Sequence, residues 1–270
     1  MKWELRDVKV WLNGEWLDGE EAMVPVGDQG FLRGEGVFET LLAVRGQVFE
    51  AGRHAERMRR GAAVLGFEVM ATGEFEGLVS EVVERNGLEG EERVRVRVTA
   101  TPQTVLITAE VVEGAVGPLR VVRGDFQRWS GSPLAGVKAT SYLENVLARR
   151  WAVERGAREV LFGNERGEWC EGSWSNVFAV VDGVLMTPPL ASGCLPGVTR
   201  EVVMEVAGEL GMEVREEKRS LASLDEVREM FVTSSLRGVC PVVDLDGREL
   251  TVGEVTVRLR DELERLIGIV

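Results

Sequence analysis

Lys138 lies among residues that suit a reactive amine. It stands just ahead of a predicted helix, whose N-terminus Thr140 or Ser141 could cap. Apolar neighbours and the positive end of a helix both disfavour an ammonium ion, and the neutral amine is the form that attacks a carbonyl carbon. On the local sequence alone a solvated lysine is the commoner explanation, so a role for Lys138 needs support from other segments.

A carboxylate and two potential anion-binding turns follow Lys138 along the chain. Glu171 ends a short predicted strand and meets a Gly-Ser turn, so its carboxylate could project into a cleft; an ordinary loop glutamate is the alternative. A helix predicted from residue 198 follows Gly197, and free backbone N–H groups at such an N-terminus bind anions. The segment 233–238, Thr-Ser-Ser-Leu-Arg-Gly, ends another predicted strand with hydroxyl and N–H groups that could bind the same anion.

The scarcity of histidine and cysteine narrows the chemistry. The single histidine, His54, argues against His-rich metal sites, and a Ser-His-Asp hydrolase would depend on it alone, without any G-x-S-x-G motif. The three cysteines are widely spaced and form no C-x-x-C pair, which argues against a disulfide framework and a zinc site. They are Cys170, Cys194 and Cys240. We therefore expect chemistry from a lysine, a glutamate or a cofactor, and no metal.

Charge and hydropathy indicate the class of partner. The formal net charge of the 270 residues is −13, which would repel a phosphate backbone, so we expect no nucleic-acid partner. No run of 18 apolar residues is present, so we expect no membrane span. The first seven residues lack the apolar core of a signal peptide, and we expect a cytoplasmic protein.

The hydrophobic pattern predicts two α+β domains, residues 1–113 and 119–270, joined by a linker at 114–118. In the first half it predicts a hairpin with an Asn-Gly turn at 8–17, strands at 37–44, 93–99 and 104–112, and helices at 52–66 and 74–87. In the second half it predicts helices at 141–155, 198–210 and 253–268, and strands near 121, within 159–187, near 212–217 and at 229–233.

The order and spacing of these segments resemble the fold type IV pyridoxal-phosphate enzymes, the class IV aminotransferase family. That family includes branched-chain aminotransferases, D-amino acid aminotransferases and aminodeoxychorismate lyases. The resemblance runs from about residue 28 to 242 and rests on Asp28-x-Gly30-x-x-x-Gly34-x-Gly36-Val37-Phe38-Glu39, His54-x-x-Arg57, Glu171-Gly172-x-x-x-Asn176-x-Phe178 and Leu195-Pro196-Gly197-x-Thr199-Arg200. It implies a two-domain α+β fold with the cofactor, pyridoxal 5'-phosphate, in the interdomain cleft, and a homodimer whose neighbouring chain completes the pocket.

The resemblance also implies the catalytic roles. Lys138 would form the internal Schiff base with pyridoxal phosphate and, once substrate displaces it, would move the proton. Glu171 would lie against the pyridine nitrogen and favour the protonated ring. Tyr142 would hydrogen-bond the cofactor's phenolic oxygen, with a packing role as an equal alternative.

The cofactor phosphate would be held from both halves of the chain. Arg57, an always-charged planar donor, would clamp it from the helix at 52–66. The remaining contacts would come from the backbone of Val198 and Thr199, the Ser235 hydroxyl and the Leu236 N–H. His54, in the same motif as Arg57, is expected to be structural.

The substrate pocket departs from the family's patterns. The Arg-x-His pair of D-amino acid aminotransferases is absent from 98–103, and Arg33 stands where branched-chain enzymes carry a tyrosine. Instead, arginines at 93, 95 and 97 alternate with valines and should share one strand face. Solvation of that face is one explanation; binding of a substrate carboxylate by one or two of these arginines is the other. The candidate substrate-binding residues are Arg33, Phe38, Arg95, Arg97 and Arg237.

The sequence therefore predicts an aminotransferase that moves an amino group from an amino acid or amine donor to a 2-oxo acid acceptor. An aminodeoxychorismate lyase, which releases pyruvate and p-aminobenzoate with the same lysine and cofactor, is the alternative, because residues 233–238 also resemble that enzyme. A pyridoxal-phosphate-binding relative without turnover is a more distant one. Donor, acceptor and stereochemistry cannot be read from the sequence.

Overall fold

The computed structural model describes residues 8–112 and 117–269. By contacts the chain forms two compact units: the first comprises Met1–Gly114, Val137–Tyr142 and Ile267–Ile269, and the second comprises Ala115–Gly136, Leu143–Leu266 and Val270. Most of the predicted linker, residues 114–116, lies outside the described residues, and the domain boundaries at 113 and 119 stay a prediction. Lys138 is grouped with the first unit.

The first unit contains one six-stranded sheet. Its strands are β1 (Lys9–Leu12), β2 (Glu15–Asp18), β3 (Val37–Val44), β4 (Gln47–Val48), β5 (Val94–Ala100) and β6 (Val105–Val111). They are arranged in the order β2-β1-β6-β5-β3-β4, and every pairing is antiparallel. Its helices are α1 (Gln29–Arg33), α2 (Ala51–Leu65) and α3 (Thr72–Arg85).

Alternation along β5 sets the two faces of this sheet. Val94, Val96 and Val98 are fully buried and form one core with α2 and α3. Because side chains alternate along a strand, Arg95 and Arg97 lie on the opposite face, where both are half-buried. The predicted shared face is thus confirmed for these two arginines.

The second unit contains a nine-stranded mixed sheet. Its strands are β7 (Leu119–Arg128), β8 (Glu159–Asn164), β9 (Trp169–Gly172), β10 (Asn176–Val181), β11 (Val184–Thr187), β12 (Val214–Glu216), β13 (Glu229–Ser234), β14 (Gly238–Leu245) and β15 (Arg248–Glu249). The order is β12-β11-β10-β13-β14-β7-β8-β9, with β15 on β14; β7 runs parallel to β8 and β14, and β11 to β12. Its helices are α4 (Leu143–Glu154), α5 (Val198–Glu209) and α6 (Glu254–Ile267).

The predicted elements are confirmed within a few residues; the two-residue strands β4 and β15 were not predicted, and there are three further differences. The glycine-rich segment contains the short helix α1, and β14 was not predicted, because Pro241 and a leading glycine are unusual in a strand. The predicted cap of α4 is also wrong: the helix begins at Leu143, and the Thr140 hydroxyl donates to the carbonyl oxygen of Gly34 at 2.9 Å. Among the described residues, no helix is long and apolar enough to cross a bilayer.

Candidate functional site

The backbone around Lys138 is paired with the start of β3. The Phe38 N–H donates to the Lys138 carbonyl at 2.9 Å, and the Thr140 N–H donates to the Gly36 carbonyl at 2.8 Å. The chain must approach closely at Gly36, where a Cβ atom would lie 2.7 Å from the Ala100 carbonyl oxygen. The segment carrying the lysine is therefore held to the start of β3 by backbone hydrogen bonds, with one antiparallel bridge between Val37 and Ala139.

The Lys138 side chain lies over an aromatic pair. Its Nζ is 4.5 Å from the ring centroid of Phe38 and 5.6 Å from that of Tyr142, and the two rings meet edge to face at 5.1 Å. On the same Phe38 ring, the Arg97 guanidinium carbon lies 3.6 Å from the centroid. The first unit thus brings together four residues that the sequence singled out: Lys138, Tyr142, Phe38 and Arg97.

Arg97 carries a charge that its neighbours leave poorly balanced. Burial, with a smaller contribution from Arg95, lowers the pKa of Arg97 to about 10. Its Nε donates to the Thr99 hydroxyl at 3.2 Å, and within residues 8–112 and 117–269 no carboxylate forms an ion pair with it. Arg95, by contrast, forms an ion pair with Glu110. The fourth candidate on this unit, Arg33, is exposed on α1.

Glu39 joins the two charged residues of the H-x-x-R motif. Its carboxylate accepts from Arg57 Nε at 2.8 Å and Nη2 at 2.6 Å, and its Oε2 lies 2.6 Å from His54 Nδ1. All three are at most 5% exposed. Burial acts to raise the pKa of Glu39, but Arg57 and His54 offset it and hold the pKa at about 2. This role of Glu39 was not predicted, although its place in the Gly36-Val37-Phe38-Glu39 motif was the available signal.

Asp28 fixes the glycine-rich segment that leads into β3. Its side chain accepts from the Gly30 and Phe31 N–H groups at the start of α1 and from the Thr101 and Thr104 hydroxyls at 2.7 and 2.6 Å. Burial opposes the charge, but these hydrogen bonds lower the pKa of Asp28. A buried anion therefore ties the segment to the turn between β5 and β6.

Glu171 ends in a partly buried position between two donors. Its Oε2 accepts from the Leu195 N–H at 2.8 Å, and Arg128 Nε lies 3.2 Å from its Oε1. The side chains of Glu171 and Arg128 are 12% and 14% exposed. Arg128 was missed by the sequence analysis, since nothing near it in the sequence points to Glu171, 43 residues away by their numbers.

The two predicted anion-binding turns have the features that a phosphate would need. Helix α5 begins at Val198, with Thr199 buried beside it, and Gly197 provides no side-chain cap for its N–H groups. At the end of β13 the Thr233 hydroxyl oxygen is buried and, within the described residues, has no hydrogen-bond partner. Ser235 and Leu236 form the turn that follows, before β14. An unsatisfied buried hydroxyl and a helix N-terminus without a side-chain cap fit an anionic group.

Comparison with known proteins points to one family. The sequence model of the family Amino-transferase class IV matches residues 36–245. A provisionally named branched-chain-amino-acid aminotransferase of Methanocaldococcus jannaschii is 32% identical, over 95% of this chain and 96% of its own. A D-alanine aminotransferase of Staphylococcus aureus is 30% identical, over 96% and 98%. The structure of a T.th. branched-chain amino acid aminotransferase with pyridoxamine 5'-phosphate is similar at a TM-score of 0.89 and 30% identity, over 98% and 96%.

Proposed function

The chain belongs to the class IV aminotransferase family, and from that membership we propose which of its residues perform the transamination. It is a pyridoxal-phosphate-dependent aminotransferase that acts on an amino acid and a 2-oxo acid. The observation that carries the assignment of residues is the position of Lys138 over Phe38 and Tyr142, with the Arg97 guanidinium over the same Phe38 ring.

Lys138 is the catalytic residue of the proposal. When bound, pyridoxal phosphate supplies an aldehyde that reacts with amines and a ring that takes up the electron pair of a broken C–H bond. Lys138 would be the amine that holds the cofactor, and its Nζ would carry the proton taken from the substrate's α-carbon. Glu171 would hold a proton on the pyridine nitrogen, and Tyr142 would hydrogen-bond the phenolic oxygen.

The phosphate would be bound mainly by uncharged donors. In the second unit these are the N–H groups of Val198, Thr199 and Leu236 and the hydroxyl of Ser235; the unsatisfied Thr233 hydroxyl supports this placement. Arg57 is assigned to the phosphate by resemblance to the family. Because Glu39 occupies its Nε and Nη2 atoms, the guanidinium could present only its remaining N–H groups to a phosphate.

Arg97 is our choice for the substrate carboxylate. It is half-buried and has no carboxylate partner among the described residues, whereas Arg95 is paired with Glu110. A guanidinium held over Phe38 can bind a carboxylate through two parallel hydrogen bonds. Phe38 would pack against the substrate, and Arg33 and Arg237 stay candidates for other parts of the pocket. Arg95, which is paired with Glu110, is left out of the proposed pocket.

The lyase alternative gains no support from the relatives described above, which are aminotransferases. The presence of Lys138, Glu171 and Arg57 together argues against a relative without turnover. The homodimer and the cytoplasmic location remain parts of the proposal, and light scattering of the purified chain tests the former. The screen for donors described below covers both L- and D-amino acids, because a branched-chain and a D-alanine aminotransferase are similar to this chain at nearly the same identity.

Two experiments test the assignment of residues. The cofactor-loaded chain should absorb in the visible, and borohydride should fix the cofactor to the peptide containing Lys138 and to no peptide of a Lys138→Ala variant. A half-reaction screen with amino acids of both hands then identifies the donor. Colourless protein, or an adduct on another lysine, would overturn the assignment of Lys138.

The role of Arg97 is tested with matched substrates. Arg97→Leu should lower kcat/KM for the amino acid donor by about 10- to 100-fold, the effect of losing a charge-assisted contact. Half-reaction rates with a primary amine that lacks a carboxylate should change much less. Arg95→Leu is the control on the same face. An equal loss with both donors would remove Arg97 from carboxylate recognition.

A further inference from the structure

Glu159 is a buried carboxylate of the second unit that the proposed function does not use. It begins β8 and is 1% exposed. Its Oε1 accepts from the N–H groups of Val160 and Ser173, at 3.0 and 2.9 Å, and from the Ser173 hydroxyl. Its Oε2 accepts from the Ser175 hydroxyl at 3.0 Å and lies 3.4 Å from Arg237 Nη1.

Apart from the Val160 N–H, the donors to Glu159 come from two turns: one directly follows Glu171, and the other contains two of the proposed phosphate contacts. Ser173 and Ser175 belong to the turn directly after Glu171, and Arg237 belongs to the turn that contains Ser235 and Leu236. Arg237 lies 78 residues from Glu159 in the sequence. One buried anion therefore bonds both turns.

The first of these turns is packed tightly onto Glu159. A Cβ atom on Gly172 would lie 2.3 Å from the Ser175 Oγ and 3.1 Å from the Glu159 Cδ, so only glycine fits there. From the other side, Asn145 of α4 donates to the Ser173 carbonyl at 2.6 Å. The turn after Glu171 is thus held in place by buried hydrogen bonds on both sides.

We propose that Glu159 is a positioning residue, whose carboxylate holds the turn after Glu171 and, through Arg237, the phosphate-binding turn in a single arrangement. The inference rests on the proposed function, because it needs Ser235 and Leu236 to contact the cofactor phosphate. It also gives Arg237 a role apart from substrate binding. A guanidinium bonded to a buried carboxylate keeps its turn in one conformation, and contacts made by ordered groups lose less entropy when a ligand binds.

The two oxygens of Glu159 allow the two turns to be tested separately. In Glu159→Gln the amide oxygen can take the Oε1 position, where three donors converge, and so keep the bonds to Val160 and Ser173. The amide N–H₂ then faces Arg237, a donor that it cannot satisfy, while the Ser175 hydroxyl can rotate to accept. The substitution therefore breaks the connection to the phosphate-binding turn and leaves the other largely intact.

Pyridoxal, which lacks the phosphate, is the probe that separates these effects. Glu159→Gln should weaken binding of pyridoxal phosphate by about tenfold, the effect of one lost charged hydrogen bond, and change binding of pyridoxal by less than about twofold. The ³¹P NMR signal of the bound cofactor should shift. Arg237→Gln removes the same ion pair from its less buried partner and should give the same pattern, which keeps the test valid where Glu159→Gln fails to fold.

Glu229→Gln is the matched control. Glu229 is a half-buried glutamate of the same unit, at the opposite end of β13 from the phosphate-binding turn. Its Oε1 accepts from the Thr256 N–H and hydroxyl on α6 at 2.7 Å each. It should lower the melting temperature and leave the ratio of the two affinities unchanged. If the ratio of the affinities for pyridoxal phosphate and pyridoxal is unchanged in Glu159→Gln and Arg237→Gln, including the case in which both ligands bind equally more weakly, the inference about Glu159 is overturned and the proposed function is not. A wild-type chain that binds neither ligand would overturn the proposed function as well.

Discussion

Replacing Glu39 with glutamine should be among the most damaging single changes in the first unit. The new amide keeps an oxygen for Arg57 Nε but turns a donor toward Arg57 Nη2, which now lies 2.6 Å from a carboxylate oxygen. Arg57 is only 5% exposed, so its buried charge would lose the Glu39 carboxylate that it is paired with. Breaking a buried ion pair from one side costs about 3–5 kcal/mol. We expect a loss of that order in the free energy of unfolding.

The effect should depend on pH in a defined direction. The pKa of Glu39 is about 2 in the folded chain against an ordinary value of 4.5, so its charge stabilises the fold fully above about pH 4.5 and the stabilisation is lost as the pH falls toward 2. His54 acts in the same direction: burial lowers its pKa in spite of Glu39, so acid below its ordinary value of 6.5 favours the unfolded chain. The difference between wild type and Glu39→Gln should therefore shrink only in strong acid.

Urea denaturation of the apoprotein at pH 7.5, where Glu39 is ionised in both states, and at about pH 3, between its folded and ordinary pKa values, measures both effects. The matched control is Glu56→Gln on α2, where an exposed glutamate pairs with Arg59 at 3.1 Å and the surface ion pair should contribute little. If Glu39→Gln proves no more harmful than Glu56→Gln, the buried charge pair is not what holds α2 to β3. The same result would remove the argument that Arg57 is oriented by Glu39.

Three further outcomes follow from the structure. Burial raises the pKa of all three thiols, those of Cys194 and Cys240 to about 12 and 11. A thiol reagent at pH 8 should therefore label the native chain slowly and the urea-unfolded chain at once. Rapid labelling of the native chain would contradict the burial of the thiols. Gly36→Ala should lower the free energy of unfolding, measured by urea titration, by about 1–3 kcal/mol, because its Cβ would overlap a backbone oxygen. An unchanged free energy would mean that the backbone can move apart at Gly36 without loss of stability. Asp28→Asn should lower the free energy of unfolding by about 2 kcal/mol, because an amide nitrogen cannot accept the hydrogen bonds that the Thr101 and Thr104 hydroxyls donate to Asp28. Unchanged stability would mean that these buried hydrogen bonds do not stabilise the fold.

Much of the fold could be predicted because local signals agreed with the tertiary structure. The Asn13-Gly14 turn has φ angles of 48° and 98°, which asparagine and glycine tolerate best, and the hairpin forms where the pair predicts it. The alternating valines of β5 are buried as a period of two requires. Strand β14 escaped prediction because its Pro241 and Gly238 oppose strand structure locally, and only pairing with β13 and β7 makes the strand.

The candidate site also has features that the local sequence predicts and features that only tertiary contacts determine. The alternation in β5 was enough to place Arg95 and Arg97 on one face, but not to tell which of them has a carboxylate partner. That distinction comes from Glu110 on β6, opposite Arg95 in the sheet. The role of Glu159 likewise could not be predicted from the residues around it, because all its hydrogen-bond donors except Val160 lie elsewhere in the chain.

The position of Lys138 shows why a motif can identify a residue without locating it. The residue was found from the type and order of side chains, yet what fixes it is backbone pairing with residues 36–38, about a hundred positions earlier. Backbone hydrogen bonds leave no mark on the amino-acid sequence, except where two backbone segments lie so close that only glycine fits. Here that position is Gly36. The spacing Gly36-Val37-Phe38 should therefore constrain the amine as strongly as the residues that flank Lys138. Phe38 contributes twice, with its N–H on the Lys138 carbonyl and its ring beneath the Lys138 Nζ.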